Sequence, residues 1–164
     1  MVKFLLGVAI VAFTSYCGFI LAKKYRKRKL FFMQLKEFNE RFLSEVSYYR
    51  RPLGEFASKN VYKGEFQIFL QNFFAEIDEL SQSDHSSIAF DDCEFLKDED
   101  KNVIEDYFKM LGKGDSASQK TYFSAAKERI VKLYSEAETD YKKYGDLYVK
   151  LGFLCGLLIL ILII

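Results

Sequence analysis

His85 is the residue whose side chain could most readily do chemistry, because an imidazole can bind a metal ion or act as a base near neutral pH. Other candidate ligands lie close to it in the sequence: Asp84, Asp91, Asp92 and Cys93. Their spacing matches no metal-ligand motif, and a single histidine gives no serine or cysteine an evident base. We interpret this stretch as a solvated loop followed by a helix cap, and we expect no metal, no cofactor and no catalytic residue.

Two further patterns look like fragments of catalytic sites. The run Gly112-Lys113-Gly114-Asp115 is similar to part of a phosphate-binding loop, but it lacks the spacing of that motif and the strand that precedes it. We predict instead a turn in which Gly112 takes the left-handed position after one helix and Asp115 or Ser116 caps the next. The carboxylates at 98–100 are typical of a helix N-terminus. We therefore predict that the protein is not an enzyme.

The part of the chain that contains these residues is flanked by two apolar segments. Segment 4–22 has 19 residues without a charge, enough to span roughly 28 Å as a helix. Segment 147–164 has one charge, Lys150, whose amine can extend back to the lipid headgroups. We predict a transmembrane helix in each. Tyr16 is too large for the position before a lipoprotein-type Cys17, so we do not expect the first segment to be cleaved.

The charges predict the topology. Six of the seven residues at 23–29 are Lys or Arg, whereas only Lys3 precedes the first apolar segment. This basic collar places residue 23 onward in the cytoplasm and both termini outside, and it is expected to contact anionic lipid. The domain at 30–146 carries 16 basic and 23 acidic side chains, a net charge of −7, which argues against nucleic-acid binding. Cys93 is its only cysteine, which fits a reducing cytosol.

Helical periodicity dominates the cytoplasmic domain, so the predicted fold class is all-α: a helical bundle between two terminal transmembrane helices. Pro52 ends the first helix near Arg51 and begins a short helix to Lys59, and Gly64 breaks the chain again. Further helices are predicted at 87–96, at 98–111 and, as one long helix, at 116–164. The apolar stripes expected in the core are Phe31, Leu35, Phe38, Phe42, Val46 and Tyr49; Phe66, Phe69, Leu70, Phe73, Ile77 and Leu80; Val103, Ile104, Tyr107, Phe108 and Leu111; and Tyr122, Phe123, Ala126, Ile130, Leu133, Tyr134 and Ala137.

Small residues recur at four-residue spacing in both apolar segments. Gly152 and Gly156 form a Gly-x-x-x-Gly motif in the second, and Thr14, Gly18 and Ala22 repeat the spacing in the first. Such spacing lets two helix backbones approach closely. It favours packing of the two spans on each other at Gly18, Gly152 and Gly156, although the motif also arises by chance in membrane segments.

Several motifs, in order, resemble those of the stage III sporulation protein AB family over the whole chain. The stretch 42–48, FLSEVSY, leads into 52–57, PLGEFA, and Leu111-Gly112 is followed by Asp115 and Gln119. The chain closes with 148–157, YVKLGFLCGL, similar to the Leu-Gly…Gly-Leu ending of the family. The family often has a tryptophan near 89–95, and this chain has none, which puts the helix predicted at 87–96 in doubt.

The resemblance implies a non-enzymatic part in the complex that joins mother cell and forespore, on the mother-cell side. It also implies a cytoplasmic domain similar to the F domain of type II secretion platforms. The expected partners are an ATPase like stage III sporulation protein AA and other membrane components of the complex. Our candidate contact residues are Tyr49, Arg50, Arg51 and Leu53, which could equally form a simple helix corner. A double-spanning adaptor unrelated to sporulation and a small membrane enzyme remain as alternatives.

Overall fold

The computed structural model describes residues 2–48, 61–79, 90, 93–111 and 116–163. All of the regular secondary structure in these ranges is helical, which confirms the predicted all-α class. The helices are α1 (Val2–Tyr48), α2 (Glu65–Glu79), α3 (Asp98–Lys109), α4 (Ser116–Asp140) and α5 (Asp146–Ile163), with a π-helical segment at Tyr141–Gly145 between α4 and α5. Helix α1 is unbroken because neither Gly nor Pro occurs between Gly18 and its end.

The chain forms two compact units. One comprises 1–29 and 135–164, and we call it the membrane unit; the other, at 30–134, is the helical body. Residues 135–146, which the sequence analysis assigns to the cytoplasmic domain, lie in the membrane unit. Two helical stretches, Leu6–Ser44 and Ala117–Leu162, are long and apolar enough to cross a membrane.

Aromatic side chains fill the core of the helical body. Phe38 is fully buried, and its ring centroid lies 5.8 Å from that of Phe108 and 6.1 Å from that of Phe66. Phe42 of α1 packs edge-on against Phe123 of α4 at 4.7 Å. One central ring of α1 thus contacts both α2 and α3, and its neighbour contacts α4. The stripes predicted from the sequence supply these buried rings, since rings on one helical face can all reach a common core.

The chain enters α2 through a turn fixed to α1. Gly64 has φ +64°, a conformation that a side chain disfavours, so it allows the break predicted there. Just before it, the Lys63 amide donates to Gln34 Oε1 at 2.7 Å, and Gln34 Nε2 donates to the Lys63 carbonyl at 2.9 Å. Tyr62 is buried beside this turn and packs on Phe66 at 5.2 Å. The start of α2 is therefore held against the middle of α1.

The helix predicted at 87–96 is wrong for the part of that range that the structure describes. Cys93 and Leu96 close turns, with amide-to-carbonyl bonds of 2.9 Å from Cys93 to Phe90 and 3.0 Å from Leu96 to Cys93. The buried Asp100 side chain then accepts a bond of 3.0 Å from the Lys97 amide. This bond satisfies a backbone donor at the start of α3 and sets the helix boundary at Asp98 instead.

A polar group, the Asn39 amide, lies within the largely aromatic core. Asn39 is 1% exposed; its Nδ2 donates to the Phe123 carbonyl at 3.3 Å, and its Oδ1 accepts from the Tyr107 hydroxyl at 2.9 Å. Burial raises the pKa of Tyr107 well above its ordinary value. One amide therefore joins α1, α3 and α4 and fixes their relative positions, because a buried polar group is costly without its partners.

The single long helix predicted at 116–164 contains an irregularity. The chain remains helical from Ser116 to Ile163, but the Tyr141–Gly145 segment has π geometry. Gly145 is buried, and a Cβ added there would lie 3.1 Å from Cδ2 of the Tyr141 ring. The wide turn thus packs the Tyr141 ring closely over the glycine. Hydrophobic periodicity does not reveal a one-residue insertion of this kind.

Candidate functional site: the paired membrane helices

The two apolar helices of the membrane unit pack as an antiparallel pair. A methyl group added to Gly18 of α1 would lie 2.5 Å from the Tyr148 carbonyl oxygen and 3.3 Å from Cα of Gly152. One added to Gly156 would lie 2.9 Å from Cα of Val11, and one added to Gly7 would collide with the Leu160 side chain. As the residue number increases along α1, the number of the contacting residue in α5 decreases, so the helices run in opposite directions. We call this line of contacts the glycine seam.

The glycine seam depends on the absence of side chains at Gly18, Gly152 and Gly156, where an added Cβ would meet backbone atoms of the other helix. A Cβ on Gly152 would lie 2.7 Å from the Thr14 carbonyl oxygen and 3.2 Å from Cα of Gly18. Thr14 Oγ1 donates to the Ile10 and Val11 carbonyls of its own helix at 3.1 Å, and a Cβ added to Gly156 would lie 2.5 Å from this oxygen. Small residues allow such close approach in lipid, where apolar burial between helices gives little driving force.

The outward faces of this pair are apolar and exposed. Leu162 is 85% exposed and Phe13 68% exposed, and further large apolar side chains are exposed along both helices: Leu6, Phe19, Leu154, Leu158 and Ile161. A soluble protein rarely leaves so continuous an apolar surface uncovered, and a helix buried in a core would not be so exposed. These faces suit lipid acyl chains, so the chain is a membrane protein.

An aromatic and ionic cluster closes the pair next to the glycine seam. The Tyr25 ring lies between those of Tyr144 and Tyr148, at centroid distances of 5.5 and 5.8 Å. One turn further along α1, Arg28 Nη1 lies 2.9 Å from Asp140 Oδ2; the side chains are 4% and 25% exposed. We call Tyr25, Arg28, Lys29 and their partners the interfacial lock.

Glu138 is the second acidic group of the interfacial lock. Its Oε1 lies 3.3 Å from Lys29 Nζ and 3.4 Å from Lys142 Nζ. Hydrogen bonding to Lys29, together with Lys142, lowers the pKa of the Glu138 carboxyl below its ordinary value. Lys29 Nζ also lies 5.2 Å from the centre of the Tyr141 ring. Arg28 and Lys29 of the basic collar thus both form ion pairs that join α1 to α4.

The π segment brings the glycine seam and the interfacial lock onto one helix face. Ala137 and Gly156 are both buried but lie 19 positions apart, which in an α-helix would place them about 100° apart around the axis. A π turn absorbs one extra residue, leaving the equivalent of about 18 residues, or about five complete turns. The insertion therefore lets one face of this helix continue to meet α1.

The sequence-predicted site residues fall into two groups. Gly18, Gly152 and Gly156 come together in the glycine seam. The candidate contact residues Tyr49, Arg50, Arg51 and Leu53 lie outside the described residues, as do the predicted turn residues Pro52, Gly112 and Asp115 and the polar positions Asp84, His85, Asp91 and Asp92. Cys93 is buried, and within the ranges that the structure describes no group of three or more His, Cys, Asp or Glu could hold a metal ion.

The interfacial lock was missed by the sequence analysis. The total charge of the collar does not predict that Arg28 and Lys29 pair with acidic residues of another helix. A usable signal did exist: Arg28 lies six residues after the first predicted span, and Asp140 lies seven residues before the second. Opposite charges at matched depth beside two antiparallel spans indicate an interhelical ion pair.

Comparison with known proteins identifies the family. The family model described as stage III sporulation protein AB matches residues 3–164. The chain is 30% identical over 171 residues to stage III sporulation protein AB of Bacillus subtilis (strain 168), covering 99% of each chain. No solved structure matches it. These matches support a role in sporulation and argue against an adaptor unrelated to sporulation. The family is named as a sporulation protein and not as an enzyme. The chain belongs to the stage III sporulation protein AB family.

Proposed function

We propose that the protein is a non-enzymatic membrane scaffold of the secretion-like complex between mother cell and forespore. It docks a cytoplasmic ATPase like stage III sporulation protein AA to the mother-cell side of the engulfing membrane. Both spans anchor it there, with the helical body in the cytoplasm and both termini outside, and other membrane components of the complex are its neighbours. The observation that carries this proposal is that, in a chain of this family, residues 30–134 form a packed body between two paired apolar helices.

The internal order of the helical body supports a docking role. Its centre is filled with aromatic rings, and its buried amide, Asn39, has partners on two other helices. A well-packed core presents its surface groups in a fixed arrangement, which lowers the entropy lost when a partner binds.

The proposed contact residues follow α1 directly in the sequence, and the chain contacts α1 again at Tyr62. Arg41 Nη1 donates to the Tyr62 hydroxyl at 3.4 Å, and its guanidinium lies 5.7 Å from the centre of that ring. Together with the Gln34–Lys63 bonds, this holds residues 62 and 63, which follow the 49–60 connection in the sequence, against α1. Connections fixed to a rigid scaffold commonly carry binding residues. Arg50 and Arg51 would offer the ATPase two adjacent cations.

Membrane recruitment tests this proposal. The full chain is reconstituted in vesicles, the ATPase is added, and the vesicles are floated through a density gradient. The wild-type protein is expected to carry the ATPase upward, and Arg50→Glu with Arg51→Glu to reduce recruitment about tenfold or more, because charge reversal replaces attraction with repulsion.

The matched control reverses two exposed basic residues elsewhere in the helical body, Lys120→Glu and Arg129→Glu. It makes the same change in net charge, so equal loss in both variants would point to nonspecific electrostatics and contradict the assigned face. An ATPase that stays at the bottom of the gradient with wild-type protein would overturn docking itself. Circular dichroism of each variant checks that the helices remain folded.

A further inference from the structure

The basic collar is divided between two tasks. Arg28 and Lys29 turn toward α4 and form the ion pairs of the interfacial lock. Lys23, Lys24 and Arg26 are exposed on other sides of the same helix. Because successive residues of a helix are about 100° apart, these three cations point away from the direction shared by Tyr25 and Lys29. The pairing of the helices therefore leaves Lys23, Lys24 and Arg26 exposed and facing outward.

The partner helix adds a further outward cation at the same level. The antiparallel contacts of Tyr25 with Tyr144 and Tyr148 place 23–26 beside the π segment. Lys143 of that segment is exposed, and its Nζ lies 5.0 Å from the centre of the Tyr144 ring. We call Lys23, Lys24, Arg26 and Lys143 the basic ring. Asp146 is an exposed carboxylate nearby and reduces its charge by one.

We propose that the basic ring binds the headgroups of anionic phospholipids in the cytoplasmic leaflet, and that the interfacial lock takes no part in this binding. Directly beside the ring, Phe19, Leu21 and Leu147 are exposed apolar residues. A diacyl phospholipid satisfies both surfaces at once, since its phosphate meets the cations while its acyl chains cover the apolar faces. A soluble phosphate could satisfy only the first, and a nucleic acid would be repelled by the predicted cytoplasmic domain at 30–146, whose net charge is −7.

This inference rests on the proposed topology, in which the collar faces the cytoplasm. It goes further by assigning lipid binding to one part of the collar and helix pairing to the other. The two roles are therefore separable by substitution: neutralising the ring should change lipid preference and leave the pair intact. Neutralising Arg28 should loosen the pair and leave lipid preference intact.

The test measures lipid selectivity by electron spin resonance of spin-labelled lipids around the full-length protein in vesicles. Wild-type protein is expected to prefer phosphatidylglycerol over phosphatidylcholine. Changing all four ring residues to Gln should abolish the preference, with a loss of up to about fivefold in relative association for each charge. The matched control changes four exposed basic residues of the helical body to Gln: Lys63, Lys109, Lys120 and Arg129. It should retain the wild-type preference.

The outcomes are distinct. An equal preference in wild-type and ring-neutralised protein would overturn the inference, and so would an equal loss in the control. Loss of the preference in inorganic phosphate, but not in sodium chloride of the same ionic strength, would show a site for soluble phosphate and also overturn it. Arg28→Gln should keep the preference; its loss would contradict the division of the collar.

Recruitment of the ATPase to the same vesicles separates this inference from the proposed function. Recruitment without lipid selectivity overturns only lipid binding by the basic ring. Selectivity without recruitment overturns only docking of the ATPase.

Discussion

Arg28 and Asp140 are separated by 112 positions in the sequence, yet Arg28 Nη1 and Asp140 Oδ2 form an ion pair 2.9 Å long. The pair joins the segment that follows the first span to the segment that precedes the second. Because the Arg28 side chain is nearly fully buried, the Asp140 carboxylate takes the place of water beside its positive charge. This contact lies at one end of the paired helices, and the glycine seam continues from it into the apolar segments.

Breaking this ion pair is predicted to destabilise the membrane unit. Arg28→Gln or Asp140→Asn alone should cost about 2 kcal/mol, because each takes this opposite charge away from a partly buried ion. The double variant should recover part of that loss, since both charges are then removed. Unfolding in mixed micelles with increasing dodecyl sulfate measures the free energies. Effects of the two single changes that add within about 0.5 kcal/mol would show that the residues are not coupled.

The π segment is predicted to set the rotation of the second span. Deleting Lys142 should convert the π turn to a regular α-helix and keep Gly152 and Gly156 in the glycine seam, because the deletion removes the one extra residue that the π turn absorbs. Deleting Lys142 and Lys143 together should instead turn every later residue by about 100° around the axis, so the pair should lose stability although its helix content is unchanged. Dodecyl sulfate unfolding and circular dichroism report the two quantities. Lys142→Ala with Lys143→Ala is the control for the double deletion, because it removes the same charges and keeps the register; equal stability of the double deletion and this control would contradict this role.

The buried hydroxyl of Tyr107 is predicted to make the helical body sensitive to alkaline pH. Its pKa is raised by burial, so the neutral phenol stabilises the fold below its ordinary pKa of 10.0, and this contribution is lost as the pH rises toward the raised value. Tyr107→Phe removes the hydrogen bond to Asn39 and should cost about 1 kcal/mol near neutral pH. Thermal unfolding of the full chain in micelles should show a smaller loss above pH 10 for the variant than for the wild type. A variant with the wild-type alkaline slope would contradict the assignment to Tyr107.

Glu138 gives the opposite pH dependence. Its pKa is lowered by hydrogen bonding to Lys29, so its ion pairs stabilise the fold above the ordinary pKa of 4.5 and are lost as the pH falls below it. Glu138→Gln should reduce the acid sensitivity of unfolding in that range and have a small effect at pH 7, because the pair is exposed to solvent. Unfolding midpoints between pH 3 and 7 provide the measurement. A variant as acid-sensitive as the wild type would show that other carboxylates are responsible.

The sequence predicted the parts of the fold that depend on local pattern. Phe31, Phe38 and Phe66 were assigned to the core from helical spacing, and all are buried. Gly64 was identified as a break and has positive φ. Small residues in the spans suggested a close contact, because their effect depends on size and four-residue spacing alone.

Features that depend on distant partners were not predictable in the same way. Asn39 lies on the apolar face of α1, and its role appears only when Tyr107 and Phe123 are brought to it by two other helices. The π segment leaves the hydrophobic pattern of the chain unchanged and is visible only as a change in which residues face α1. The ion pair between Arg28 and Asp140 becomes apparent only when the distances of the two residues from their own spans are compared. The charge pattern of one segment alone does not show it.

Pairing of the two spans is tested most directly by the distance between Cys17 and Cys155, which are exposed on α1 and α5. Spin labels on these native cysteines, in a Cys93→Ala background in vesicles, allow the distance to be measured by double electron–electron resonance. We predict one narrow, short distribution, as expected for helices whose axes lie about 8–10 Å apart. Gly152→Leu should broaden and lengthen it, whereas Ala12→Leu, which adds the same bulk at an exposed position of α1, should not. A broad distribution in wild-type protein, or one that Gly152→Leu leaves unchanged, would contradict the paired anchor on which the scaffold depends.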